Sequence, residues 1–282
     1  MNLAEYAAEN NLHRVGARPP LHAYLNEVWR RRLFIYSLSK FRIQAQHQRS
    51  RLGMAWIVIN PLLETAIYGT IFGIILGSTR PPNFIEFLIV GLFIYDVISS
   101  SLTSGAKSIT GNGALVQSLS FPRMVLPLAS TVQEFLNFVP KLIVMVTIVA
   151  IFGSPPNIRW LLLLPLIALM VLFSTGLALI MARLTVHFTD LNKLLPFITR
   201  ILFYTSGVFF AIETVFAGHK TIARLYEFQP FHEFLSLARN ILIENTPVDT
   251  MFWLYASVWA VVTFAVGVWF FWSAEESYGR ND

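Results

Sequence analysis

Six long apolar stretches constrain this chain more than any other feature. They lie near residues 54–77, 84–104, 124–152, 158–182, 194–216 and 251–272. Each reaches or exceeds the roughly 20 residues a helix needs to cross about 30 Å of hydrocarbon. A chain of 282 residues that is 55% hydrophobic and 13% charged is neither disordered nor a water-soluble globule. The expected fold is all-α and integral to a membrane, with six transmembrane helices. Function is then to be sought in a passage between helices rather than in a soluble cleft.

Charge is distributed unevenly around the stretches. Arg14, Arg18, Arg30, Arg31, Arg32, Lys40, Arg42, Arg49 and Arg51 all precede the first one. Lys107, Arg123, Arg183, Lys193 and Arg280 fall on the same side of a six-span path. This positive-inside bias predicts a multi-pass membrane protein with both termini cytoplasmic. It also explains the net charge of +5 without nucleic acid as a partner. No signal peptide precedes Met54, so the first span is expected to direct insertion. The chain has no cysteine, which excludes disulfides, thiol catalysis and thiolate metal sites.

The segments between the stretches are individual. Residues 1–20 read as a polar tail, and 21–53 as a cytoplasmic interfacial helix followed by a Leu-Gly loop. Over about Leu21–Ser37, Leu25, Val28, Trp29, Leu33 and Tyr36 recur at helical spacing beside Arg30, Arg31 and Arg32. A basic amphipathic helix of this kind lies in the membrane interface. Residues 54–272 form the six-helix domain, and 273–282 read as a polar cytoplasmic tail. Between the second and third stretches, a short helix is expected before Phe121-Pro122. Residues 213–250 are too patterned for disorder. They suggest two short amphipathic helices hinged at Gln229-Pro230, acceptable at membrane depth only if buried in protein or lining a cavity.

No catalytic constellation is present. The six histidines are scattered without metal-ligand spacing, no GxSxG elbow occurs, and no phosphate-binding GxxxxGK[ST] loop occurs. The chain is expected to be a transport subunit and not an enzyme. Ionisable residues within spans are functional suspects because burying charge in lipid is costly. They are Glu64, Asp96, Glu134, Lys141 and Arg200; Glu134 and Lys141 are seven apart and share a helix face without touching. Aromatic residues are the second set: Phe93 and Tyr95 in the second span, and Phe203, Tyr204, Phe209 and Phe210 in the fifth. Their faces suit the C–H faces of sugars, and equally suit lipid contact.

The ordered set of features resembles a known family. It comprises the basic interfacial helix, Arg51-Leu52-Gly53-x-x-Trp56, Asn60-Pro61, the polar segment from Asn112 to Pro122-Arg123, Asp190-Leu191, and paired short helices before the last span. Together these resemble the transmembrane subunit of ABC-2-type polysaccharide exporters, the Wzm-like permeases of O-antigen and teichoic-acid systems. Within them the chain looks most like the actinobacterial galactan exporter. Thr189-Asp190-Leu191 departs from the Arg-Asp-Leu of the family, and residues 1–20 have no clear counterpart in shorter relatives.

The resemblance implies a homodimeric pore with the type V exporter architecture, driven by two copies of a separate ATPase subunit that binds ATP and Mg. No cofactor or metal is implied in this chain. The implied substrate is a lipid-pyrophosphate-linked polysaccharide moving amid membrane lipids. Arg49, Arg51, Leu52, Gly53 and Trp56 would form its pyrophosphate entrance. A coupling helix over about 112–123 would dock on the ATPase through Asn112, Leu115, Val116, Leu119, Phe121, Pro122 and Arg123. Residues 213–245 would be an external gate around Gln229, Pro230 and Phe231. The alternatives are an ABC-2 permease for a drug or simple lipid, an ion-coupled secondary carrier, and a membrane scaffold without transport.

Overall fold

The computed structural model describes residues 18–47, 51–77, 81, 83–118, 121–211, 226, 228–243 and 250–278. Among these the regular structure is helical. Two helices precede the first apolar stretch, α1 (Leu21–Arg30) and α2 (Arg32–His47). The bundle then comprises α3 (Trp56–Ile75), α4 (Phe84–Ala106), the short α5 (Gly113–Ser118), α6 (Val125–Phe152) and α7 (Leu163–His187). It ends with α8 (Leu191–Thr205), α9 (Pro230–Leu242) and α10 (Thr250–Ser273).

Among the described residues, five helical segments are long and apolar enough to cross a membrane: Gly53–Ile75, Phe84–Ala106, Val125–Phe152, Ile158–His187 and Thr250–Ser273. The stretch near 194–216 is different. Its helix α8 has 15 residues, about 22 Å long, and ends at Ser206. Gly207 then takes φ of +76°, a left-handed conformation that ends the helix and favours glycine. The expectation of one continuous fifth span therefore fails at Ser206-Gly207.

Helix α9 explains how a helix too short to span is tolerated. Phe231, Phe234, Leu235, Leu237, Ala238, Ile241 and Leu242 are all buried, against α4, α7 and α10. The Arg239 guanidinium donates to the carbonyls of Gly207 and Val208, each at 2.9 Å, and to that of Phe87 at 3.2 Å. It also lies 3.3 Å from the Phe87 ring centroid. The carbonyls just past the end of α8 are thus met by a buried cation, as backbone at membrane depth requires. The proviso that this segment be buried in protein is met for residues 230–242. Within the expected gate region 213–245, residues 213–225, 227, 244 and 245 lie outside the described residues.

The amino-terminal helices run further than the sequence pattern suggests. Tyr24, Val28, Ile35, Ser39 and Ile43 form an inward seam. Ser39 donates to the Ala129 carbonyl at 2.7 Å, and Arg42 to the Ser130 hydroxyl at 3.0 Å. These contacts bind α2 to α6 and carry the helix past Ser37 to His47. The interfacial face is separate. Leu25, Trp29, Leu33 and Tyr36 point outward, with Trp29 67% and Leu33 73% exposed, whereas Val28 faces the bundle.

Small residues bring three apolar helices into backbone contact. A Cβ on Gly176 of α7 would lie 2.4 Å from the Thr263 carbonyl oxygen of α10. One on Gly267 would lie 2.6 Å from the Gly176 oxygen, and one on Gly105 of α4 would lie 2.4 Å from Ala178 Cβ. Such approach is how helices gain dispersion contacts where lipid offers no hydrophobic drive. Gly176→Ala is expected to cost about 1–3 kcal/mol through overpacking. Gly111, with open space around it, should accept Ala within about 0.5 kcal/mol. Thermal unfolding of both variants in detergent checks the contrast.

Candidate functional site

The most distinctive cavity lies between α3, α4 and α8, with a volume of about 320 Å³. Helix α3 contributes Glu64 and Tyr68. Helix α4 contributes Leu92, Tyr95, Asp96 and Ser99, and α8 contributes Pro196, Thr199, Arg200, Phe203 and Tyr204. The spacing is helical in each case: Glu64 and Tyr68 are four apart, as are Leu92 and Asp96, and Arg200 and Tyr204. The Tyr95 hydroxyl donates to the Thr199 carbonyl and ties α4 to α8. Phe203 lies 5.0 Å from Tyr95, 5.6 Å from Tyr68 and 5.5 Å from Tyr204, centroid to centroid. The wall is thus an aromatic cluster interrupted by carboxylates and one guanidinium.

Of the aromatic residues singled out in sequence, Tyr95, Phe203 and Tyr204 line the cavity. Phe209 stands behind its wall, stacked on Phe72 at 4.1 Å. Phe210 is half-buried against the core. Phe93 is fully buried in the core and is not among the residues that line this cavity. Tyr68, Ser99 and Thr199 escaped the sequence reading. Their one signal was Tyr68 a turn beyond Glu64 and Ser99 a turn beyond Asp96.

Lys141 of α6 pairs with Asp96 of α4. The sequence grouped Lys141 with Glu134 on one helix face and could not see across to α4. Glu64 and Glu134 both lie within electrostatic reach of this pair. From Asp96, a polar strip continues along α4 through Ser99, Ser100, Thr103 and Ser104, all partly exposed. Ser100 donates to the Asp96 carboxylate at 3.3 Å.

At the expected entrance, Arg51 and Leu52 are exposed, Trp56 is half-buried, and Arg49 lies outside the described residues. Gly53 has φ of +51°, and nothing lies within 4 Å of where a Cβ would be. The turn therefore needs glycine for its backbone conformation and leaves an open approach beside Arg51.

The segment between α4 and α6 differs from expectation. Thr110–Asn112 forms a 3₁₀ turn before α5. Gly111, Gly113 and Ala114 are exposed, while Asn112 and Leu115 are half-buried. Val116, Phe121 and Pro122 are buried within the chain. Val116 and Phe121 join a cluster with Tyr24, Val28 and Ile35, and Phe121 meets Phe34 at 6.1 Å. They fasten this segment to α1 and α2 and are not available as knobs for another protein. Leu119 lies outside the described residues. Gln229 and Pro230 are half-buried and Phe231 is buried, 5.5 Å from Tyr95.

Residues 273–278, the start of the expected polar tail, pack against the bundle. The Tyr24 hydroxyl donates to Glu275 Oε2 at 2.6 Å, and the Arg123 backbone N–H donates to Glu275 Oε1 at 2.9 Å. The Arg123 guanidinium stands 3.7 Å from the same oxygen. Tyr278 is buried on Phe271 at 4.6 Å and donates to its carbonyl at 3.1 Å. Arg18, expected in a loose tail, lies over Trp272 at 4.1 Å, and its N–H donates to Glu276 at 2.9 Å. Burial raises the Glu275 carboxyl above the usual carboxylate value, against the pull of Tyr24 and Arg123. Burial and the adjacent Glu275 push the Tyr24 hydroxyl well up.

Residues 34–243 match the family described as ABC-2 type transporter. The chain belongs to that family. It is 32% identical over 174 residues to an O-antigen export system permease protein RfbA of Klebsiella pneumoniae, covering 61% of this chain and 67% of that one. It is 27% identical over 191 residues to the protein of the same description from Myxococcus xanthus, covering 68% and 73%. It is 24% identical over 237 residues to the polysialic acid transport protein KpsM of Escherichia coli, covering 83% and 91%. The resemblance to Wzm-like permeases read from the motifs is thereby shown.

Two expectations test this geometry. Lys141→Met should destabilise by about 1–3 kcal/mol, less than for a fully buried pair because Asp96 is 35% exposed. The double variant Asp96→Asn/Lys141→Met should recover most of that loss in detergent melts. The second concerns pH. A carboxyl whose folded pKa is raised contributes most below its unfolded value and loses that contribution as pH rises through the folded one. The melting temperature of the wild type minus that of Glu275→Gln should therefore fall from about pH 5 to about pH 8.

Proposed function

We propose that the chain is the permease subunit of an ABC transporter that exports a lipid-pyrophosphate-linked polysaccharide across the cytoplasmic membrane. Both termini face the cytoplasm, two copies form the conduit, and a separate ATPase supplies the energy. The observation that carries this reading is the cavity between α3, α4 and α8. Tyr68, Tyr95, Phe203 and Tyr204 offer faces for the C–H surfaces of sugar rings. Glu64 and Asp96 accept from sugar hydroxyls, and Arg200 donates to them. The polar strip on α4 extends that lining from Asp96 toward Ala106. The named roles of the three relatives, O-antigen export and polysialic acid transport, support the same substrate class. A galactan or a teichoic-acid type of polymer is the narrower form of the proposal.

Arg51 beside the Gly53 turn supplies charge-assisted donors for the pyrophosphate, with Trp56 at the start of α3 and Arg49 nearby in sequence. The exposed crest Gly111–Ala114, with Asn112 and Leu115, is one contact for the ATPase, and α1 is the second. Val116 and Phe121 hold that crest in place from behind. Closure of the ATPase dimer then moves α1 and the crest and shifts the bundle as rigid bodies. Residues 213–245 remain the proposed external gate.

The test is reconstitution with the proposed partner ATPase subunit. The two should co-purify, and lipid-linked glycan should stimulate ATP hydrolysis; failure of both overturns the proposal. Arg51→Ala should reduce export about 10-fold or more, the loss expected for one charge-assisted contact, at unchanged membrane abundance. Equal loss of abundance and export would leave Arg51 only a topology role.

A further inference from the structure

The junction where residues 24, 123 and 275 meet has no part in the glycan path, yet it buries a carboxylate. A buried carboxylate is retained at a cost in desolvation unless its oxygens are matched by donors. Glu275 is 5% exposed, and both its oxygens are used. Oε1 accepts from the Arg123 N–H at 2.9 Å and Oε2 from the Tyr24 hydroxyl at 2.6 Å. The Tyr24 oxygen in turn accepts from the Met124 N–H at 3.1 Å.

One carboxylate and one phenol therefore satisfy two consecutive N–H groups just ahead of the 28-residue α6. They hold the chain in the two residues that lead into the helix, and negative charge beside a helix start is favoured by the helix dipole. The carboxylate also arrives from a third place, the turn after α10. Tyr278 on Phe271 and Arg18 on Trp272 pin that turn from both sides. A residue needed only to fill space would be apolar; Glu275 instead links three segments by direction-specific bonds.

We infer that Glu275 is a positioning residue for energy coupling: it fixes the start of α6 and the crest before it against α1, so that both cytoplasmic contacts move as one body. This rests on the proposal that the crest and α1 meet an ATPase. Acting through Tyr24 and Arg123, Glu275 touches neither nucleotide nor glycan. Glu275→Gln keeps a carbonyl acceptor for the Arg123 N–H and turns an amide N–H donor toward the Tyr24 oxygen, so it preserves the link and is expected to retain function. Glu275→Ala removes both contacts and is expected to uncouple.

The experiment compares wild type, Glu275→Ala, Glu275→Gln and Tyr24→Phe, each co-purified with the ATPase and reconstituted in vesicles. Glu275→Ala should keep assembly and basal hydrolysis within about twofold while glycan-stimulated hydrolysis and export fall at least about 10-fold. Tyr24→Phe should lie between, and Glu275→Gln should keep at least about half of the wild-type export. Hydrogen exchange should rise together in residues 21–30 and 110–124 for Glu275→Ala but not for Glu275→Gln.

Wild-type export or unchanged exchange in Glu275→Ala overturns the inference, as does equal loss in the Ala and Gln variants with the complex intact. Should Glu275→Ala fail to accumulate, wild-type export by Tyr24→Phe overturns it. If the wild type ignores lipid-linked glycan altogether, the substrate proposal fails instead, and the exchange measurement alone decides the role of Glu275.

Discussion

Every backbone N–H and C=O at membrane depth must find a partner inside the protein, and the architecture follows from that demand. Five apolar helical segments meet it within themselves. Helix α8 does not, because it stops at Ser206-Gly207, well short of the roughly 30 Å of hydrocarbon. The carbonyls of Gly207 and Val208, just past its end, are taken by Arg239. That single guanidinium ties the end of α8 to α9, and through Phe87 to α4. The cavity exists because α8 is held there by Arg239 at its end and by Tyr95 at Thr199.

Much of this was legible in the sequence, for reasons that differ by element. Long apolar runs declare spanning helices by length alone, and α4, α6, α7 and α10 fall close to the expected ranges. The stretch near 194–216 has the same composition, but composition carries no record of a positive φ at Gly207 or of a cation arriving from residue 239. The extension of α2 to His47 was hidden because its inward seam is built from Ser39 and Arg42 as well as apolar residues. Their partners, Ala129 and Ser130, are some ninety positions away.

The site was legible by residue type more than by grouping. Tyr95, Phe203 and Tyr204 were recognised as aromatic residues at membrane depth, and Glu64, Asp96 and Arg200 as costly charges. That these form one wall depends on the crossing of α3, α4 and α8, which no local pattern encodes. Phe93 shows the converse: one residue from a cavity-lining Leu92 and two from Tyr95, it turns into the core. In a helix, each step rotates the side chain by about 100°. Val116 and Phe121 present little surface to a partner because both are buried in a cluster shared with Tyr24, Val28 and Ile35.

The contact of Gly176 with Gly267, and of Gly105 with Ala178, leaves α4, α7 and α10 almost no freedom to separate or slide. Helix α3 is held far more lightly, with Pro61 its one buried residue among those described. The cavity therefore has walls of unequal stiffness, a fixed one on α4 and a yielding one on α3. Width changes in such a passage fall to the yielding wall. A change in width is then expected to carry Glu64 and Tyr68 relative to Tyr95 and Asp96.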